Sequence, residues 1–182
     1  LSLNLPNLLT IGRLLLVPFV IRNLWTCNFR LALTLVFVAG GTDAVDGYLA
    51  RHFNWTTRLG AYLDPIADKL LLVSVYVMLA VDRAVPVWLV WLVLGRDVLI
   101  LAMVAWGWWV AGIRSFPPSV WGKISTSLQI LTALVVMSTR AFPAQIPEGT
   151  LQSGLVLLTA AAAVWSGLNY GWRGMEILRT LR

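Results

Sequence analysis

Long apolar runs, each closed by a short polar or proline-bearing break, divide this chain into six segments. Nearly continuous hydrophobic sequence covers residues 29–51, about 57–81, 87–110, 120–139 and 150–170. A shorter run at 14–21 continues a helix that Pro6 can open, because proline fits the first helical turn. The breaks carry Asp82, Arg83 and Pro86, then Gly112, Pro117 and Pro118, then Pro143 and Pro147. Each run is near the roughly 20 residues that carry a helix across a bilayer. The pattern predicts an all-α integral membrane fold of six transmembrane helices with a short N-terminal interfacial segment. It also predicts one membrane domain over residues 1–182, without a soluble domain or internal repeat.

Composition agrees with a membrane-embedded chain. Of 182 residues, 59% are hydrophobic and only 12% charged. The first helix lacks an A-x-A cleavage site, so no signal peptide is read. The single cysteine, Cys27, has no internal disulfide partner. A net charge of +6 could suggest nucleic acid, but the basic residues flank apolar spans, so anionic lipid headgroups are the expected partners. Trp25, Trp55, Trp121 and Trp172 lie near span ends, where indoles favour the interface. Six spans put both termini on one side. That side carries eight Lys or Arg against four on the other, with Lys69 and Arg96 inside spans, so the termini are expected in the cytoplasm.

Against this apolar background, four of the eight carboxylates crowd into one stretch: Asp43, Asp46, Asp64 and Asp68. Spacings of three and four place each pair on one helix face. A break at 52–56 lets the two helices fold back antiparallel, so that the four groups converge. A lone buried Asp can be a helix–helix hydrogen-bonding residue, but four on adjacent helices point to function. All-oxygen ligands suit Mg²⁺ or Mn²⁺. Asp43 lies eight residues before Arg51, about 12 Å along a helix, which makes a shallow pocket open to the cytoplasmic leaflet. Upstream, Asn7, Thr10 and Arg13 form a polar edge on the first helix. They either cap the helix and snorkel to headgroups or face the nucleotide end of the acidic site.

The stretch D-x2-D-G-x2-A-R-x8-G-x3-D-x3-D, here Asp43, Asp46, Gly47, Ala50, Arg51, Gly60, Asp64 and Asp68, resembles the signature of the CDP-alcohol phosphotransferases without a substitution. The resemblance implies transfer of a phosphatidyl group from CDP-diacylglycerol to an alcohol with release of CMP, in a homodimer. Two Mg²⁺ or Mn²⁺ ions would be held by the four aspartates and would clamp the diphosphate. It assigns the general base to Asp68, which spacing alone does not separate from Asp64. Gly47, Ala50 and Gly60 leave room for the nucleotide and for close helix packing. Arg51 can pair with phosphate, and Thr57 is a candidate hydroxyl donor or a helix cap. His52 reads as a loop residue, and Lys69 stays cationic beside the cluster or snorkels.

The second half is expected to choose the acceptor, with Arg96, Asp97, Arg114 and Lys123 as its candidate residues. Arg96-Asp97 is either a self-compensating pair or the floor of an acceptor pocket. The segment from Gly122 through Lys123 and Ser125 to Gln129 is similar to the G-K-x-K-T-x-x-Q of bacterial phosphatidylglycerophosphate synthases. Ser125, however, replaces the second lysine. That change and the Arg96-Asp97 pair look more like the cardiolipin synthases of the same family. The expected acceptor is therefore phosphatidylglycerol, with glycerol 3-phosphate second, in a bacterial inner membrane. A divalent-cation transporter or channel is the reading of another class, but it leaves Gly47, Ala50 and Arg51 unexplained.

Overall fold

The computed structural model describes the backbone of residues 5–53, 58–111, 119–146 and 149–180. Side chains are described for these except at 5–9, 44–53, 58–63, 65, 104, 107–111 and 173–180. The described residues form six α-helices: α1 Leu5–Trp25, α2 Phe29–Phe53, α3 Arg58–Val81, α4 Val87–Ala111, α5 Val120–Ala141 and α6 Thr150–Thr180. Among the described residues, α5 and the Thr150–Trp172 part of α6 are long and apolar enough to cross a membrane. The expected break at 52–56 falls partly on α2, which runs to Phe53, and partly outside the described residues. Helix α6 continues past residue 170, where hydropathy alone ends the span.

The helices stop where the backbone can close them. Asn28 caps α2: its side-chain oxygen accepts the Leu31 N–H at 3.4 Å, the third amide of the helix. Helices α1 and α3 both end in Schellman closures. Asn28 N–H reaches Asn23 O at 2.8 Å, and Ala84 N–H reaches Leu79 O at 2.8 Å. The left-handed residue that each closure needs is Cys27 (φ 55°) in one and Arg83 (φ 58°) in the other, not the usual glycine. A helical Pro18 inside α1 leaves one backbone carbonyl without its helical donor.

The chain sorts into two compact units. The first contains α1, α2, α3 and the end of α5 from Val136. Here α1 packs on both α2 and α3. Its buried stripe runs Thr10, Arg13, Val20 and Leu24; that of α3 runs Ala67, Leu71, Val75 and Leu79; α2 contributes Phe29, Ala32 and Ala39. These are the three-and-four spacings of one helix face. Asp43 continues the α2 stripe one turn beyond Ala39, and Asp64 and Asp68 continue that of α3 before Leu71. The acidic residues therefore sit on the faces the helices already turn toward one another. At the other end, Arg140 pairs with Asp82 at 3.0 Å. Arg30 donates to the Ala141 carbonyl at 3.0 Å and lies 5.2 Å over the Phe142 ring.

The second unit holds α4, the first part of α5 and α6. Helices α5 and α6 run antiparallel along a seam of small polar residues. The Thr132 and Thr159 hydroxyls meet at 2.7 Å, and Thr159 also donates to Leu128 O at 3.3 Å. Ser125, Gln129, Thr132, Thr159 and Ser166 are all fully buried. In an apolar surround, hydroxyl bonds and close backbone approach replace large side chains as the means of holding helices together. Trp121 and Trp165 stack edge-to-face across the same pair at 5.8 Å.

Candidate active site

The register of α1 against α3 builds the acidic site. The two helices run in the same direction. Thr10 and Arg13 are about 4.5 Å apart along one axis, and Asp64 and Asp68 are about 6 Å apart along the other. One alignment therefore serves both pairs: the Thr10 hydroxyl donates to the Asp64 carboxylate, and Arg13 Nη1 donates to Asp68. The other arm of the guanidinium, Nη2, reaches Asp43 on α2 at 2.6 Å. One arginine thus ties α1, α2 and α3 together.

Burial divides the site into a closed floor and an open top. Arg13 is 2% exposed, while the Asp43 and Asp68 side chains are 45% and 51% exposed. Two carboxylates stand over a buried cation and present their outer oxygens to whatever approaches. Arg13 does not extend outward as a snorkelling side chain would, which corrects that alternative: its charge is buried and held by two carboxylates. The Arg13 Nε–H is buried and finds no hydrogen-bond partner among the described residues.

Of the motif, the structure brings Asp43 and Asp68 onto one guanidinium and places Asp64 one turn before Asp68. Asp46, Gly47, Ala50 and Arg51 follow Asp43 on the last turns of α2, and Gly60 lies in the first turn of α3; their side-chain surroundings lie outside the described residues, as does all of Thr57. His52 lies on α2. Lys69 follows Asp68 on α3 and is partly buried. The donor set is carboxylate oxygen throughout, and Asp43 and Asp68 already converge on one positive group. That chemistry fits a hard divalent cation. Among the described residues no group of three or more ligating side chains is assembled; Asp46 is outside them.

In the second unit, Arg96 and Asp97 form a buried ion pair at 2.7 Å. Arg96 also donates to Ser166 Oγ from Nη2 at 2.8 Å and from Nε at 3.3 Å, and to the Gly122 carbonyl at 3.3 Å. The pair is therefore built into the joint between α4, α5 and α6. Lys123, next to Gly122, is exposed, and Arg114 lies outside the described residues. Sequence reasoning did not single out Ser119, Ser166 or Tyr170. Ser166 and Tyr170 are spaced i, i+4 on one face of α6, which is the available signal that they share a polar joint.

Comparison with known proteins bears on these findings. The sequence model of the CDP-alcohol phosphatidyltransferase family matches residues 3–165. The chain is 31% identical to CDP-diacylglycerol–glycerol-3-phosphate 3-phosphatidyltransferase 2 of Arabidopsis thaliana, over 92% of this chain and 78% of that protein. It is 30% identical to the corresponding transferase of Pseudomonas fluorescens, over 92% and 88%. It is 28% identical to the CMP-forming cardiolipin synthase of Homo sapiens, over 97% and 64%. An aspartate motif spread over two helices, a match across nearly the whole chain and relatives of one chemistry agree: this chain belongs to the CDP-alcohol phosphatidyltransferase family of membrane enzymes.

Proposed function

We propose that this enzyme transfers a phosphatidyl group from CDP-diacylglycerol to phosphatidylglycerol, yielding cardiolipin and CMP. The observation that carries the choice of acceptor is Ser125. It is fully buried in the α5–α6 seam and accepts a hydrogen bond from Gln129 at 3.3 Å. A lysine there would bring its charge into that seam, so Lys123 is left as the exposed cation of the segment. A phosphomonoester such as glycerol 3-phosphate, with nearly two negative charges, favours several cations. The single phosphodiester charge of phosphatidylglycerol needs fewer. Arg114 and Lys123 meet that phosphate, and the Arg96–Asp97 pair forms the floor beneath it. Glycerol 3-phosphate is the second reading, favoured by the names of the Arabidopsis and Pseudomonas relatives.

Asp43, Asp46, Asp64 and Asp68 would hold two Mg²⁺ or Mn²⁺ ions, which when bound neutralise the diphosphate and the charge developing in the displacement. The residues of the chain do the rest. Arg51 engages the diphosphate in its planar fork. Gly47, Ala50 and Gly60 keep space for the nucleotide, with Thr57 as a hydroxyl donor. Asp68, half exposed above Arg13, takes the proton of the acceptor hydroxyl as its oxygen attacks phosphorus and the bond to CMP breaks. The helices form six membrane spans with a short N-terminal segment, as a homodimer in a bacterial inner membrane, with termini and site facing the cytoplasm. The whole chain, 1–182, acts as one catalytic domain. Purified protein given CDP-diacylglycerol with each acceptor at matched concentration tests the assignment by mass spectrometry. Phosphatidylglycerophosphate as the main product, with no cardiolipin, would remove the acceptor assignment.

A further inference from the structure

Three polar side chains around the first turn of α5 take no part in the chemistry above. Ser119 is the N-cap: its Oγ accepts the Gly122 N–H at 2.9 Å. In an ordinary capping box the third helical residue reciprocates, its Glu or Gln side chain accepting the N–H of the cap residue. Here that residue is Gly122, which has no side chain. The missing half comes from another helix: Tyr170 Oη on α6 accepts the Ser119 N–H at 3.1 Å.

The turn is gripped on its other side too. Arg96 Nη2 donates to the Gly122 carbonyl while bonded to Ser166, one turn before Tyr170. A Cβ at 122 would lie 3.1 Å from Tyr170 Oη and 3.3 Å from both Arg96 Nη2 and Ser119 Oγ, so any larger residue would push these three side chains apart by a few tenths of an ångström. The next residue is Lys123, exposed, with its own N–H bonded to Ser119 O at 3.2 Å. A backbone fixed from 119 to 122 sets the direction in which the Lys123 side chain leaves the helix.

We propose that Tyr170 is a positioning residue for the acceptor: it completes the cap of α5 from α6 and so fixes the exit direction of Lys123. This rests on the reading of Lys123 as an acceptor-phosphate ligand. Tyr170→Phe removes the hydroxyl and keeps the ring. Steady-state kinetics are run with phosphatidylglycerol and, in parallel, with glycerol 3-phosphate. Tyr170→Phe should raise the KM of the acceptor turned over by about fivefold, the size of one neutral hydrogen bond. The kcat and the KM for CDP-diacylglycerol should stay within about twofold, because only the cap has changed. Lys123→Ala should raise acceptor KM at least as much, and the double variant should be no worse than Lys123→Ala alone. Ser119→Ala, which loses the same cap from the other end, should give the same signature and serves if Tyr170→Phe is recovered unfolded. An unchanged acceptor KM in Tyr170→Phe, while Lys123→Ala raises it, overturns the inference alone. An undiminished Tyr170→Phe effect in the Lys123→Ala background also overturns it. An unchanged acceptor KM in Lys123→Ala overturns the acceptor reading, and this inference with it.

Discussion

Arg13→Gln separates the structural work of the buried guanidinium from its chemistry. Arg13 makes two charge-assisted contacts, to Asp43 and Asp68. Hydrogen bonds to charged groups are worth about 1.5–3 kcal/mol each. Both carboxylates are close to half exposed, so solvent screens them, and halving the sum gives about 1.5–3 kcal/mol. Removing the cation also leaves two like charges facing one site, which adds on the order of 1 kcal/mol at the dielectric of a partly open surface. The expected destabilisation is about 2.5–4 kcal/mol, read from reversible unfolding by sodium dodecyl sulfate in mixed micelles containing chelator. The same substitution in an Asp43→Asn, Asp68→Asn background should cost less by most of that amount, because the partner charges are gone. A cost below about 1 kcal/mol, or an equal cost in the two backgrounds, would refute the idea that this arginine holds the three helices together through its carboxylates.

Other expectations follow from the same geometry. Asp43→Asn, Asp46→Asn and Asp64→Asn should each abolish turnover in protein that remains folded, and full activity in excess chelator would rule out a metal-dependent transfer. Asp68→Asn should lose about 10²–10⁴ in rate while still binding CDP-diacylglycerol; near-normal turnover would take the base role from Asp68. Thr132→Val and Thr159→Val should each cost about 0.5–1 kcal/mol, and the double variant less than their sum, since both single changes remove the same 2.7 Å hydroxyl contact. Strict additivity in the unfolding free energies would mean the two hydroxyls do not interact.

The positions of the six helices were legible in the sequence because each depends on a local signal, an apolar run ended by proline or charge. The aspartate motif was legible because carboxylates are rare and costly in such runs. What hydropathy could not supply was register. Thr10 and Arg13 form a visible polar edge, but whether the edge turns to headgroups or to Asp64 and Asp68 depends on how α1 slides along α3, a contact between residues 54 and 55 apart in the chain. The same holds for Ser119 and Tyr170, 51 residues apart, which carry no signal of their contact when read singly. Arg96-Asp97 left two readings open because adjacent opposite charges can neutralise each other in any surround. The Ser166 and Gly122 contacts show the pair built into a helix joint.

The distance along the chain between Arg13 and its partners also orders events during synthesis. On the six-span reading proposed above, α1 carries a lone arginine at mid-helix, which resists insertion by about 2.5–3.5 kcal/mol. Asp43 is made 30 residues after Arg13, and Asp68 a further 25 residues on. At about 5–20 residues per second, α1 waits some 2–6 seconds for its first counter-charge. Until then Arg13 has neither carboxylate, and once α2 arrives the guanidinium is still only half matched. On that reading, the smallest piece of this chain that can settle in a bilayer with those three charges matched is α1–α2–α3, so α1 is fixed in place by a helix made after α2.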